Sequence, residues 1–327
     1  MSKRTVKGIG LLSGGLDSTL AAKVLQEQGI EVLGLTFVTP FFGAEPAMKA
    51  GKQAGIPVRA LDISERHLEM LRKPQYGYGS QMNPCIDCHG LMLREAGRVM
   101  EEEGADFLFT GEVMGQRPMS QRRDSMRSVE KLSGYVGRVL RPLSAKHLPP
   151  TEVETEGLVD RERLLDIHGR SRKRQAELAD YYGIKEYPQP GGGCLLTKEG
   201  FANKLKNLME AFPEVTPREI EHLKWGRHFR LPGNSICTLG RNRIDNERLE
   251  SMAAPTDMLL RVSDFPSPTG LLLVADESDI PFAARLLVAY SDAPVSESVR
   301  VSWKRHGQTG SFQEPHEGRD VFKACQI

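Results

Sequence analysis

Leu11-Leu12-Ser13-Gly14-Gly15-Leu16-Asp17-Ser18 stands where an apolar run, residues 6–12, gives way to an amphipathic one, residues 18–28. The first run reads as a strand and the second as a helix closed by Gly29. Two glycines let the backbone approach a polyanion, and the helix N-terminus points unpaired N–H groups at it. Ser13 and Ser18 add hydroxyl donors. The segment lacks a Gly-Lys-Ser/Thr ending, so it is not a Walker A loop and brings no lysine toward a γ-phosphate. Asp17 would repel a phosphate unless a magnesium ion stood between them. A glycine turn with a serine cap is the plainer reading, and the strand-to-helix position of Ser-Gly-Gly-x-Asp-Ser weighs against it.

Working outward, further strands are expected at residues 31–37, 58–63 and 106–110, with helices at 47–54 and 91–103 between them. This βαβ rhythm predicts an α/β domain, a parallel sheet with helices on both faces that binds ligand beyond the carboxyl ends of its strands. Two long stretches interrupt it. Residues 74–90 are rich in Gly, Pro and Tyr and carry a cysteine pair, and residues 117–146 carry many arginines. After a helix at 171–182, the run Pro188-Gln189-Pro190-Gly191-Gly192-Gly193-Cys194 marks the expected boundary between domains 1–195 and 196–327.

The second part reads as a smaller α+β domain. Two helices come first, the latter opening with the capping box Thr216-Pro217-Arg218-Glu219. Short strands are expected at 228–231, 235–239, 258–262, 271–274 and 299–303, with an apolar helix at 282–290 and a loose polar tail after residue 308.

Composition bounds the functional classes. The 327 residues are 39% hydrophobic and 27% charged, ordinary values for a globular chain of two domains. Lys and Arg total 44 against 43 Asp and Glu, so any nucleic-acid binding must come from local patches. No stretch approaches the roughly 20 apolar residues of a membrane span, and the N-terminus has no signal-peptide pattern. A cytoplasmic protein without membrane contact is expected, and a homodimer is allowed. Structural disulfides are not expected among five cysteines in a reducing compartment.

The phosphate loop resembles that of the PP-loop ATP pyrophosphatases, which transfer AMP to an oxygen and release pyrophosphate. A second segment narrows the resemblance: Thr110-Gly111-Glu112-Val113-Met114-Gly115-Gln116, followed by Ser120-Gln121, at the end of a predicted strand. It is similar to the signature of the tRNA 4-thiouridine synthetases, as are Met92-Leu93-Arg94 and Leu140-Arg141-Pro142-Leu143. The likeness covers roughly residues 5–195. It implies ATP and magnesium at Ser13, Gly14, Gly15, Asp17 and Ser18, with Asp17 catalytic. The backbones of Leu11, Leu12, Thr36 and Phe37 would frame the adenosine, and Gly111 and Gln121 would close over it. Two departures stand out. The relatives carry an RNA-binding region before the loop, whereas here the loop starts at residue 13, and the spacing to Ser120-Gln121 is one residue longer.

Cys85 and Cys88 form a C-x-x-C in the expected 74–90 loop, and Cys194 follows three glycines. Soft thiolates select zinc, copper(I) or iron–sulfur clusters. The trio is similar to the three-cysteine 4Fe–4S clusters of related thiolation enzymes, which would leave one iron open for sulfide. Cys85, Cys88 and Cys194 are thus candidate metal ligands and catalytic residues. In a persulfide mechanism one of them would carry the sulfur instead, and a zinc site completed by His89 is the structural alternative. Cys237, between apolar neighbours, reads as core, and Cys325 as incidental.

Basic clusters at Arg117, Arg122, Arg123 and Arg127, and at Arg170-Ser171-Arg172-Lys173-Arg174, are candidate tRNA-phosphate contacts over a default of solvated surface. The second domain, with Arg227-His228-Phe229-Arg230 and Arg241-Asn242-Arg243, is faintly similar to a small RNA-binding domain of ribosome quality-control factors. The leading expectation is therefore an ATP-dependent tRNA sulfurtransferase, 4-thiouridine its product and a sulfide or persulfide donor its partner. An enzyme adenylating a small molecule and a non-catalytic nucleotide- or RNA-binding module are the competing classes.

Overall fold

Alternation of single apolar residues with glycine and phenylalanine builds the sheet at the centre of the first unit. The computed structural model describes residues 4–117, 120–188 and 194–327 and divides into two compact units, Met1–Cys194 and Leu195–Ile327. In the first, strands β1 (Lys7–Leu11), β2 (Glu31–Val38), β3 (Val58–Asp62), β4 (Phe107–Thr110) and β5 (Val139–Leu140) form a sheet in the order β3-β2-β1-β4-β5. Every pairing is parallel. Helices α1 (Leu16–Glu27), α2 (Glu45–Ala54), α3 (Ser64–Arg72), α4 (Cys85–Glu102), α5 (Arg123–Ser133), α6 (Glu152–Thr155) and α7 (Lys173–Tyr181) connect and cover it.

Strand period two sorts the core onto the two faces. Phe107 and Phe109 pack with Leu16, Leu20 and Leu25 of α1, while Ile9, Leu35 and Leu108 pack with Leu93 and Ala96 of α4. Gly10 is required by a close approach: a Cβ there would lie 2.1 Å from the Phe109 ring.

The two interruptions expected as long loops are largely structured. Helix α4 begins at Cys85 rather than near residue 91, so the cysteine pair sits on its first turn and not in a flexible loop. The chain before it is pinned by side chains that compete well for backbone donors. The Asp87 carboxylate accepts the N–H of Gln75 at 2.6 Å and of Tyr76 at 3.1 Å, and Asn83 Oδ1 accepts that of Gln81 at 3.1 Å. Residues 117–146 hold α5 and β5.

The second unit holds α8 (Glu199–Ala211), α9 (Pro217–His222), α10 (Arg243–Met252) and α11 (Ile280–Ala289). Its strands are β6 (Arg227–Arg230), β7 (Ile236–Leu239), β8 (Met258–Val262), β9 (Gly270–Leu273), β10 (Ser298–Arg305) and β11 (Gln308–Pro315). They form an antiparallel sheet in the order β11-β10-β8-β9-β7-β6. Ala283, Leu286 and Leu287 of α11 pack onto Phe229, Leu260 and Leu272 of that sheet. The chain after residue 308 is not loose: β11 pairs with β10 along its whole length, from Ser298↔Pro315 to Arg305↔Gln308. Helix α10 was hidden by its thin apolar face, Leu249 being its only buried apolar residue. Polar groups hold it instead: Asn242 Oδ1 caps the Asp245 N–H at 3.0 Å, and Asn246 Oδ1 accepts the Thr269 N–H at 3.0 Å.

Candidate active site

The strand order reverses between β1 and β4, because the chain builds β2 and β3 on one side of β1 and then returns to the other. Such a reversal leaves a crevice beyond the strands' carboxyl ends, where open α/β sheets bind ligands. Both candidate motifs lie there. Leu11 registers with Thr110 across β1 and β4, so the segments that begin at Leu12 and Gly111 leave the sheet side by side. Leu11 also registers with Leu35, and the Leu12 N–H donates to the Leu35 carbonyl at 2.7 Å, which places Thr36 and Phe37 at the same end of the sheet. The Leu12 and Phe37 side chains point into the core, leaving their backbone as the part a ligand could meet.

Glycine makes these approaches possible. A Cβ on Gly111 would stand 2.4 Å from the Ser18 nitrogen and 2.5 Å from the Asp17 carbonyl carbon. Gly14, at φ +78°, sits against the Pro46 backbone at the start of α2, where a Cβ would approach to 2.4 Å. Gly15 is different: its Cβ would meet only Ser13 Oγ, at 3.3 Å, so the space above it is left open by the protein. The Ser18 hydroxyl donates to the Gly15 carbonyl at 2.9 Å and lies 3.5 Å from Ser13 Oγ. Asp17 Oδ1 is shielded from solvent and has no partner among the described residues, and Gln121 Oε1 shares that state. An orphaned carboxylate oxygen on an anion-binding loop suits a bridging magnesium ion.

The loop after β4 rests on a buried ionic network that the sequence did not announce. Glu112 Oε2 accepts from Arg141 Nε at 3.1 Å and from Thr110 Oγ1 at 3.1 Å, and Glu112 Oε1 pairs with His89 Nδ1 at 3.0 Å. Arg141 also pairs with Glu130. Burial alone would raise the Glu112 carboxyl, but the Arg141 charge and the His89 and Arg141 hydrogen bonds outweigh it and hold it at about 2. Ser144, fully buried, accepts the Met114 N–H at 3.0 Å and donates to the Ile167 carbonyl at 2.5 Å. The Gly115 N–H donates to the Gln121 carbonyl at 2.7 Å, bringing Gln121 back onto the signature loop. An arginine inside the apolar Leu140-Arg141-Pro142-Leu143 was the available hint of a buried ion pair.

Cys85 and Cys88 stand on the first turn of α4, and Cys194 is near enough to act electrostatically on the Cys88 thiol. The Cys88 thiol is pushed well up by burial and further by the neighbouring Cys194, Cys85 and Asp87. Asn83 Nδ2 donates to Cys85 Sγ at 3.3 Å. His89, the expected fourth zinc ligand, is engaged by Glu112 instead. The imidazole that does meet a thiol is His67 of α3, fully buried against the Phe41 and Phe42 rings, with Nε2 3.3 Å from Cys88 Sγ. Burial lowers its pKa to about 4. Among the described residues no three His, Cys, Asp or Glu side chains converge as a ready-made metal cage. The donor set remains thiophilic in character, three sulfurs on two chain segments. Gly191-Gly192-Gly193, expected to let the backbone close on a bulky group, lies outside the described residues.

Cys237 is buried in β7 with its thiol pushed up to about 12, as a core residue should be. Among the described residues no helix is long and apolar enough to cross a membrane.

Residues 4–147 match the family described as Thiamine biosynthesis protein (ThiI), and residues 226–316 match the NFACT protein RNA binding domain. Curated relatives are tRNA-specific 2-thiouridylases. That of Syntrophotalea carbinolica is 37% identical over 118 residues, 31% of this chain and 32% of its own. Those of Sulfurimonas denitrificans and Bartonella quintana are 36% identical over 125 residues and 29% identical over 144, covering 34% and 38% of this chain and 35% of their own. The chain thus spans about a third of the length of these relatives. A solved structure, a predicted subunit of tRNA methyltransferase from Methanocaldococcus jannaschii, aligns at TM-score 0.32 and 19% identity, over 42% of this chain and 69% of its own.

Proposed function

We propose that this chain, which joins a ThiI-family PP-loop domain to an NFACT-type RNA-binding domain, is an ATP-dependent tRNA sulfurtransferase. The observation that carries the reading is the approach of Gly111 to Asp17 and Ser18 at the switch point of the sheet, in a unit similar to tRNA thiouridylases. The α-phosphate of ATP would lie at the N-terminus of α1, with Leu11, Leu12, Thr36 and Phe37 beside the adenosine and Gly111 and Gln121 across from it. A uridine oxygen attacks the α-phosphorus, the bond to the β-phosphate oxygen breaks, and pyrophosphate leaves with the electron pair. Sulfide sulfur then bonds to the adenylated carbon, and AMP departs with the former base oxygen. Asp17 would hold a magnesium ion, whose charge would screen the pyrophosphate, and the loop N–H groups would stabilise the leaving group.

Cys85, Cys88 and Cys194 would hold an iron–sulfur cluster, whose chemistry is to bind and present sulfide. Without a cluster, one of them would take a sulfane sulfur from a persulfide donor, and a second cysteine would release it to the base by forming a disulfide that a thiol reductant reopens. The product we favour is 4-thiouridine, on the Thr110-Gly111-Glu112 signature and the ThiI match, although the curated relatives are 2-thiouridylases. Sulfur transfer to a small molecule is a second reading, favoured by the family's description as a thiamine biosynthesis protein. The test is anaerobic incubation of unmodified tRNA with protein, ATP, magnesium and sulfide, followed by nucleoside analysis. A 4-thiouridine peak supports the proposal, 2-thiouridine moves the target atom, and no thionucleoside with ATP consumed overturns it.

A further inference from the structure

The phosphate loop brings no lysine of its own, yet one cation reaches it from 155 residues downstream. Arg172, the residue before α7, places Nη2 3.5 Å from Asp17 Oδ2, at the outer limit of a hydrogen bond. Its position follows from the network beneath it. The Gly169 N–H donates to the Met114 carbonyl at 2.8 Å, His168 bridges to Met114, and Ser144 ties Met114 to Ile167. The segment leading to Arg172 is therefore stitched to the loop after β4, at the same end of the sheet as Asp17.

The contact is unfinished on both sides. Asp17 Oδ1 and Arg172 Nε are each shielded from solvent, and neither has a hydrogen-bond partner among the described residues. A buried polar atom left without a partner costs about 1–3 kcal/mol. A guanidinium and a carboxylate able to close on each other form a paired, two-bond fork, and these two stop short of it. A metal-bound phosphate would satisfy both leftovers at once, the carboxylate taking the metal and the guanidinium the phosphate. The rest of the basic run behaves otherwise. Lys173 and Arg174 are exposed, and Arg174 is taken by Asp166.

We infer that Arg172 is a phosphate-binding residue of the nucleotide site, contacting the pyrophosphate part of ATP rather than tRNA. It rests on the reading of that loop as an ATP site. In the adenylation step it would neutralise the charge that collects on pyrophosphate as the α–β bond breaks, the task a loop lysine performs in other nucleotide folds.

The test measures equilibrium binding of ATP, pyrophosphate, AMP and unmodified tRNA to the full chain in magnesium. Arg172→Gln should weaken ATP and pyrophosphate at least tenfold while AMP and tRNA change less than twofold, and Arg172→Lys should recover part of the loss. Replacing Lys173 and Arg174 by Ala should leave ATP affinity as it is. If Arg172→Gln, with unchanged circular dichroism, binds ATP like the wild type, or loses tRNA while keeping ATP, the inference is wrong and the ATP reading stands. If the wild-type protein binds no ATP, the reading of the loop fails and takes this inference with it.

Discussion

The Arg141 guanidinium donates to the Glu112 carboxylate at 3.1 Å with both side chains inside the protein, directly beneath the loop that follows β4. This pair fixes the backbone of Gly111 against α1 and hence one wall of the crevice. Its Glu112 carboxyl titrates at about 2 in the folded chain against an ordinary 4.5. A depressed carboxyl stabilises the fold above its unfolded pKa and loses that contribution as pH falls toward the folded value. The difference is worth roughly 3 kcal/mol at neutral pH. Wild-type stability measured by urea denaturation should therefore fall between about pH 5 and pH 2.5, and Glu112→Gln should flatten that slope. Equal slopes would remove Glu112 from the acid response.

Breaking the pair from the other side is harsher. Arg141→Met strands two carboxylates, Glu112 and Glu130, in or near the interior. Removing one partner of a buried ion pair costs roughly 3–5 kcal/mol, so Arg141→Met should be less stable than Glu112→Gln at neutral pH. A melting temperature within a degree or two of wild type would show that water reaches the pair.

The sheet and the meeting of the two motifs at its end were legible because period and punctuation were strong. A glycine-rich turn between an apolar strand and an amphipathic helix has few alternative structures, and four parallel strands followed from the same rhythm. The supports were not legible. His67, Ser144 and Arg172 act through contacts made far along the chain, Cys88, Met114 and Asp17 respectively, and no local periodicity records such pairings. Residues 74–90 carry Gly, Pro and Tyr and so resemble a free loop, yet Asp87 and Asn83 hold them through backbone donors. The C-terminal hairpin was missed because β11 alternates partly exposed with exposed residues and carries little apolar signal.

Gly14 and Gly15 should respond differently to the same methyl group. At Gly14 both the positive φ and the 2.4 Å approach to Pro46 forbid a side chain, so Gly14→Ala should lower the melting temperature by several degrees. Gly15 has an ordinary extended backbone and open space above it. Gly15→Ala should melt like the wild type and still lose ATP affinity by an order of magnitude or more, because the methyl takes the space of a phosphate. Unimpaired ATP binding by Gly15→Ala would place the phosphates elsewhere.

Asp17 contributes little to folding that the structure reveals, since one carboxylate oxygen has no partner among the described residues and the other meets Arg172 only at 3.5 Å. Asp17→Ala should accordingly keep its stability within about 1 kcal/mol, the range of weak exposed pairs. ATP-dependent pyrophosphate release should fall at least a hundredfold, as for loss of a group that acts through its metal in the transition state. Turnover near the wild-type rate would remove Asp17 from the chemistry.

Metal content distinguishes the roles open to the cysteines. Cys85 and Cys88 sit on the first turn of α4 with Cys194 near the Cys88 thiol, and the three do not form a ready-made cage among the described residues. Cys237 is enclosed in the second unit's core and Cys325 lies near the chain end, each remote in sequence from the trio. Protein prepared without oxygen should be brown and carry close to one 4Fe–4S cluster per chain. Cys85→Ser, Cys88→Ser and Cys194→Ser should each lose most of the iron and the visible absorbance, while Cys237→Ser and Cys325→Ser retain both. His67→Phe tests the neighbouring imidazole separately. It keeps the aromatic packing on Phe41 and Phe42 but removes the nitrogen facing Cys88. Retained iron in that variant would make His67 a neighbour of the sulfur rather than a ligand. One equivalent of zinc without iron, lost together with Cys85, Cys88 and Cys194, would assign the trio to a zinc site instead and leave sulfur delivery to a donor from outside the chain.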